Sequence, residues 1–301
     1  MKILNNLNNL KKKLLIKANL NKCFKNIYLK LAEIIFLNKL KSNKKIIIGL
    51  TGSQGSGKTT LAQFLKIILE KKYNLKTIII SIDDIYKTKK DRISFSKKIS
   101  NLFLTRGVPG THDVKYLVNY FKNLNNTKKN RLFSIPKFDK SIDDRMPKKY
   151  WHHIKNNFDV IIFEGWCVGA RPEYSHKNLV KPINVLEKVE DKNLKWRKKV
   201  NFLLKNDYKK LFSYINFFIY LKVPSFKKVF LWRNLQELKL RNLNQKNRLE
   251  NHRIMSKLQI KKFIMFYERI TRKMFIDMPK LADIVVPIDV NHQPKKIIIN
   301  K

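Results

Sequence analysis

Glycine is scarce in this chain: eight in 301 residues, against an average near 7%. The eight fall in three short groups: Gly49, Gly52, Gly55 and Gly57; Gly107 and Gly110; Gly165 and Gly169. Glycine tolerates positive φ and close backbone approach, so a cluster of four in so poor a background marks a segment with that requirement. Cysteine is rarer still. Cys23 and Cys167 stand far apart, which excludes a disulfide framework and suits a reducing compartment. No apolar run approaches the length of a membrane-spanning helix. The first twenty residues lack the apolar core and small-residue cleavage site of a secretory signal. A cytoplasmic location, with no stable membrane insertion, is the expectation.

Negative charge is also in short supply. Acidic residues number 22 against 66 basic ones, a net charge of +44. Such an excess ordinarily raises nucleic acid or an anionic membrane as a partner. Here it consists of 54 Lys and only 12 Arg, whereas arginine is the better reader of phosphates and bases. The lysines accompany abundant Asn and Ile, as an A/T-rich codon bias spread over a solvated surface would produce. No aromatic RNA-binding signature and no zinc-ligand spacing is present, so no specific nucleic-acid partner is expected. Hydrophobic residues at 44% and aromatics at 11% describe a globular chain.

Short apolar runs at 46–50 (IIIGL), 77–82 (TIIISI), 159–165 (DVIIFEG), 215–223 (INFFIYLKV) and 283–288 (DIVVPI) read as buried strands. Helical patterns lie between them. Leu61, Leu65, Ile68 and Leu69 form a stripe, and further helices are expected over 92–104, 113–124, about 224–242 and 256–276. The alternation predicts an α/β fold with a mainly parallel five-stranded sheet flanked by helices. Segment 131–139 reads as an extended piece that Pro136 keeps at an edge. The charged stretch 171–210 reads as a helical insertion near the active-site mouth. Residues 1–45 form a basic extension in which Ile27, Leu31 and Ile34 suggest a helix packed on the body, with a membrane-surface helix as the alternative. Residues 46–301 then make up the main domain.

The glycine cluster has a specific form. GSQGSGKT at 52–59 satisfies G-x-x-x-x-G-K-[ST] between a buried strand and a helix. The backbone of Gly52, Ser53, Gln54, Gly55, Ser56 and Gly57 would form an anion nest at a helix N-terminus. Lys58 would reach the β- and γ-phosphates, Thr59 would offer its hydroxyl to Mg²⁺, and Thr60 would meet a phosphate oxygen. ATP and Mg²⁺ are the cofactors implied. Two acidic positions close predicted strands, Asp83 with Asp84 after 77–82 and Glu164 after 159–163, where open α/β sheets bind ligands. Asp83 suits proton abstraction from an acceptor hydroxyl, and Glu164 suits Mg²⁺. The polar turn RGVPGTHD (106–113) offers Arg106, His112 and Asp113 to an anionic acceptor, and FDKSIDDR (138–145) offers Asp139, Lys140 and Arg145.

In order, GLTGSQGSGKTT, SIDDIY, RGVPGTHD, PKFDKSIDDR and FEGWCVGARP closely resemble the D-glycerate 3-kinase family. Its relatives are the P-loop kinases around uridine kinase, pantothenate kinase and phosphoribulokinase. The likeness runs from about residue 46 to 290. It departs at 142–145, where IDDR replaces a glycine-containing turn. The resemblance implies a P-loop NTPase fold with a helical lid and transfer of the γ-phosphate of ATP to a small anionic hydroxy acid. By that resemblance Asp83, Lys58 and Glu164 are catalytic, and Arg106, His112, Asp113, Asp139 and Arg145 face the acceptor. Arg233 or Arg241 would close over the phosphates, and the segment 285–294 would border the adenine. Another hydroxylated acceptor, such as a nucleoside, pantothenate or a sugar, keeps the same motifs, and a nucleic-acid-associated NTPase that uses the basic surface is the remaining alternative. The oligomeric state is not encoded in any of these features.

Overall fold

The structure is a computed structural model that describes residues 2–13, 23–124, 131–247 and 255–300. The chain opens with helix α1 (Lys2–Lys13), a π-helical turn (Phe24–Leu29) and helix α2 (Lys30–Leu40). Strand β1 (Ile46–Gly52), helix α3 (Lys58–Lys72), strand β2 (Thr77–Ser81) and helices α4 (Lys89–Lys98) and α5 (Val114–Asn123) follow. Small strands β3 (Leu132–Ile135), β4 (Phe138–Asp139), β5 (Asp144–Arg145) and β6 (His152–Lys155) precede β7 (Val160–Gly165). Short helices α6 (His176–Val180), α7 (Val185–Val189), α8 (Lys195–Leu203) and α9 (Lys209–Phe212) lead to β8 (Phe217–Lys222). Helices α10 (Phe226–Asn247) and α11 (Lys257–Leu281) and strands β9 (Ile284–Pro287) and β10 (Ile298–Ile299) complete it.

The main sheet has the order β10-β9-β8-β1-β7-β2, with β10 antiparallel and the other five strands parallel. All five expected strands are therefore present and parallel. The sixth, β10, escaped the sequence reading because two apolar residues carry no periodicity. Segment 131–139 lies off this sheet: β3 pairs with β6, and β4 pairs with β5.

Every residue of β1 and β7 is buried, as parallel strands with helices on both faces must be. Alternation divides their side chains between the two faces. Ile47, Ile161 and Phe163 meet Phe121, Tyr208 and Met274 on one side. Ile48, Leu50 and Ile162 meet Leu61, Phe64 and Leu65 of α3 on the other. Residues 23–40 join this second layer. Leu31, Ala32 and Ile35 are fully buried, Tyr28 packs edge-on against Phe64 with ring centroids 5.2 Å apart, and Phe36 stacks on Tyr73. The basic residues of this segment thus ride on the outside of helices whose apolar stripe completes the cover of the sheet.

The charged stretch 171–210 becomes ordered through buried ion pairs. Glu187 is fully buried between Arg269, whose guanidinium is 2.6 Å from its carboxylate, and Arg197 at 3.8 Å. Arg197 also donates to Asp191 at 2.8 Å. Pairing and additional backbone acceptors satisfy charges that would otherwise be costly to bury. These contacts fasten the short helices to α11.

If residues 23–40 are part of the core, Leu31→Ala is expected to destabilise the whole protein by about 2–5 kcal/mol. Urea unfolding should then show one transition with a lowered midpoint and an unchanged slope.

Candidate active site

The site is assembled at the C-terminal ends of parallel strands. Register places Leu50 beside Glu164 and Glu164 beside Ser81, so the exits of β1, β7 and β2 lie side by side. From β1 the chain passes through Ser53–Gly57 into α3, whose first residue is Lys58. Gly55 has φ +78°, and a Cβ there would lie 2.7 Å from Trp232. Conformation and space both exclude a side chain at that position. Lys58 Nζ donates to the Ser53 carbonyl at 3.0 Å, and the Thr59 hydroxyl donates to Glu164 Oε1 at 3.1 Å. Burial lowers the Lys58 pKa against the opposing pull of Glu164 and Asp83. Burial likewise raises that of Glu164, which Lys58 partly offsets.

Asp83 and Asp84 sit in a 3₁₀ turn (Ile82–Ile85) directly after β2. Asp83 accepts from Lys140 Nζ at 2.7 Å through one carboxylate oxygen and from the Tyr86 hydroxyl at 2.9 Å through the other. Burial opposes its charge, but the Lys140 ammonium and these hydrogen bonds hold it below the usual carboxylate range. The Lys140 charge also favours ionised Asp84, but less than burial and the Asp83 charge disfavour it. Burial, and then the Asp83 charge, push it up to about 6.

A cavity of about 400 Å³ opens between these groups and a second wall. Lys58, Thr59, Asp83, Asp84 and Glu164 line one side; Arg106, Lys140 and Arg233 bring positive charge to it from three other segments. Arg106 is ion-paired with Asp143, which also holds Arg92 at 3.0 Å. Its backbone carbonyl accepts from the Tyr267 hydroxyl at 3.1 Å, and the Gly107 carbonyl accepts from Trp166 Nε1 at 3.1 Å. Gly107 has φ +138°, and a Cβ would fall 2.0 Å from the Tyr267 oxygen, so glycine is required where the turn passes under that ring. Trp166 and Tyr267 pack edge to face at 4.7 Å and wall the cavity.

Of the acceptor residues expected from the sequence, the cavity receives Arg106 and Lys140. Four others point elsewhere. His112 is buried behind Tyr86, stacked on it at 4.5 Å, with Nδ1 2.6 Å from the Tyr208 hydroxyl. Burial lowers its pKa to about 3, so it is neutral near pH 7 and carries no charge for an anion. Arg145 turns to the Tyr86 carbonyl, donating from Nη2 at 2.7 Å and from Nε at 3.0 Å. Its partner is Asp113, 3.4 Å away. Asp113 occupies the N-cap position of α5 without a side-chain cap bond. Asp139 accepts from the amide and hydroxyl of Ser141, closing its own turn. The reasons differ: the Tyr86 carbonyl of the turn 82–86 draws in Arg145 and the Ile85 carbonyl the Asp113 amide, whereas Tyr208 holds His112 and Ser141 holds Asp139. Asp113 N donates to the Ile85 carbonyl at 2.7 Å.

Arg233 lines the cavity from α10 and pairs with Glu237. Arg241 lies further along α10, beyond the residues whose side chains are described. Tyr86, Phe263 and Tyr267 line the cavity and had no assigned role in the sequence. Nothing in their spacing distinguishes a cavity wall from a core face.

Residues 47–201, more than half of the chain, match the Phosphoribulokinase / Uridine kinase family. The chain belongs to that family. An uncharacterized kinase of Schizosaccharomyces pombe is 33% identical over 201 residues, covering 64% of this chain and 70% of the yeast protein. The chloroplastic D-glycerate 3-kinase of Arabidopsis thaliana is 30% identical over 212 residues, 66% of this chain and 42% of the plant protein. This chain therefore matches less than half the length of the plant enzyme. The solved D-glycerate 3-kinase from Cryptococcus neoformans shares the fold, with a TM-score of 0.72 at 24% identity over 91% of this chain and 99% of that one. As a member of the family the chain is an ATP-dependent kinase of the P-loop type. No helix among the described residues is long and apolar enough to cross a membrane.

The raised pKa of Asp84 makes a prediction about stability. The folded state keeps a proton to about pH 6, whereas an unfolded Asp releases it near pH 3.9. This group's contribution is therefore fully present below about pH 4 and lost as pH rises through 6. Asp84→Asn is expected to stabilise the protein at pH 7 by about 1–2 kcal/mol after solvent screening. It should also flatten the fall in stability between pH 4 and 6, as measured by urea midpoints across that range.

Proposed function

We propose that this kinase transfers the γ-phosphate of ATP to a small anionic hydroxy acid, with D-glycerate as acceptor and 3-phosphoglycerate and ADP as products. The observation that carries the reading is the position of Asp83. Its carboxylate lies in one cavity with Lys58 and Glu164 of the phosphate-loop side and with the cations Arg106 and Lys140. The similarity to the D-glycerate 3-kinase of Arabidopsis thaliana supports the same acceptor.

The phosphate loop fits a triphosphate. The side-chain polar atoms of Ser53, Gln54 and Ser56 are buried and find no hydrogen-bond partner among the described residues. Buried polar groups without partners are uncommon unless a ligand or water serves them. Gly52 to Gly57 would offer their amides at the N-terminus of α3, Lys58 would meet the β- and γ-phosphates, and Thr60 would add a hydroxyl. Thr59 and Glu164, already hydrogen-bonded to each other, would hold Mg²⁺, an ion usually bound by one or two carboxylates together with phosphates. Bound Mg·ATP supplies the electrophilic phosphorus and part of the charge neutralisation. Near the loop, Trp232 packs against His292 with ring centroids 3.9 Å apart and planes tilted by 36°, which would place the 285–294 segment beside the adenine.

Asp83 accepts the hydrogen bond of the acceptor hydroxyl and takes its proton as that oxygen attacks. It is ionised near neutral pH, as a general base must be. Arg106 orients the carboxylate of the acceptor, and Lys58 with Arg233 faces the charge that develops on the transferring group.

ADP release should depend on D-glycerate in a panel that also contains other hydroxy acids, glycerol, nucleosides and pantothenate. Asp83→Asn is expected to lower kcat by about 10²–10⁴-fold. Acceptor-independent turnover that survives in this variant would sink the reading.

A further inference from the structure

We propose that Lys140 gates the catalytic base: it occupies Asp83 until the anionic group of an acceptor draws it away, so acceptor charge is read in turnover as well as in binding. This rests on the reading of Asp83 as the base.

Both oxygens of Asp83 are engaged, one by Tyr86 and the other by Lys140. A general base also needs enough basicity for the proton it removes, and an ammonium hydrogen-bonded at 2.7 Å withdraws that basicity, so release of that partner activates the base. Tyr86 is 2% exposed, packed by His112 on one side and Phe138 on another. The Lys140 side chain is 59% exposed and projects from the turn between two-residue strands. Lys140 is the partner free to leave.

The surroundings state where it goes. Arg106 lines the same cavity and lies near enough to disfavour the Lys140 charge, as Asp83 and Glu164 favour it. Lys58 lines the same cavity from the phosphate loop and feels the Asp83 charge, with Asp84 adjacent in the turn. Each of these cations holds one carboxylate of the protein, Arg106 that of Asp143 and Lys140 that of Asp83, and both line the cavity, where the carboxylate of an acceptor can compete for them. A carboxylate there satisfies Arg106 and Lys140 together, and Asp83 Oδ2 is left for the hydroxyl of the same molecule. The proton of that hydroxyl passes to Asp83, the acceptor oxygen bonds to the γ-phosphorus, and the bond from that phosphorus to the ADP oxygen breaks. A neutral polyol offers Lys140 no substitute for Asp83. An ammonium on a flexible stem moves between carboxylates readily, whereas a guanidinium fork holds one bidentately.

The test compares kcat and KM for D-glycerate and for glycerol in the full-length wild type, Lys140→Met and Lys140→Arg. Lys140→Met should lower kcat/KM for D-glycerate by about tenfold or more and raise that for glycerol, collapsing the preference. Lys140→Arg should keep KM for D-glycerate within about threefold while kcat falls by about tenfold. An equal loss for both acceptors in Lys140→Met, or no loss for either, overturns the gate, as does a Lys140→Arg enzyme identical to wild type. A wild type that turns over glycerol or a nucleoside but no hydroxy acid overturns the acceptor assignment, and the gate with it. D-glycerate turnover with unchanged preference in Lys140→Met overturns the gate alone.

Discussion

Everything at this site depends on the parallel register of β1, β7 and β2. Parallel strands all exit at one edge, and helix crossovers return the chain to the other, so loops gather where the strands end. With Leu50 beside Glu164 and Glu164 beside Ser81, the phosphate loop, the Glu164 carboxylate and the Asp83–Asp84 turn are forced into one small region. The Thr59–Glu164 bond is a direct product of that register. A shift of one residue would turn Glu164 to the opposite face and separate the two. Complete burial of β1 and β7 is what prevents such a shift, since every side chain on both faces would have to be repacked.

Electrostatics at the site run against the composition of the chain. The protein carries a net charge of +44, yet three of its few acids line one cavity. Their behaviour differs because their partners differ. Asp83 has a lysine and a tyrosine on it and is held ionised. Asp84, beside it, is pushed up to about 6 by burial and by that charge. Neighbouring carboxylates with separated pKa values are a common way to fit one of them for proton transfer. The surface lysines contribute little to this, because exposed charges are screened over about a Debye length.

The supporting structure is unusually dependent on buried polar pairs. Arg197, Arg269, Glu187 and Asp191 convert a charged stretch into packed helices. Tyr208, in the same stretch, braces the turn 106–113 by accepting from Gly110 N at 3.1 Å and meeting His112. The stretch 171–210 is thereby coupled to the turn that carries Arg106. Arg92, only 2% exposed, does similar work from α4 by holding Asp143, the partner of Arg106.

The sequence by itself determined the features that depend on neighbours along the chain. Short apolar runs predicted the five parallel strands, and the glycine spacing at 52–57 with Lys58 and Thr59 predicted the phosphate loop. Strand-end acids predicted Asp83 and Glu164, because a strand that ends at the sheet edge delivers its next residue there whatever else the fold does. Only the tertiary structure decided which polar residues of 106–113 and 138–145 enter the cavity. Arg106, His112, Asp113, Asp139, Lys140 and Arg145 look alike as a set of charges on two turns. The carbonyls exposed by the turn 82–86 draw in Arg145 and the 112–113 backbone, and Asp139 closes its own loop. That leaves Arg106 and Lys140 facing the cavity. Hydrogen-bond satisfaction between segments distant in sequence made that selection, and no local pattern records it.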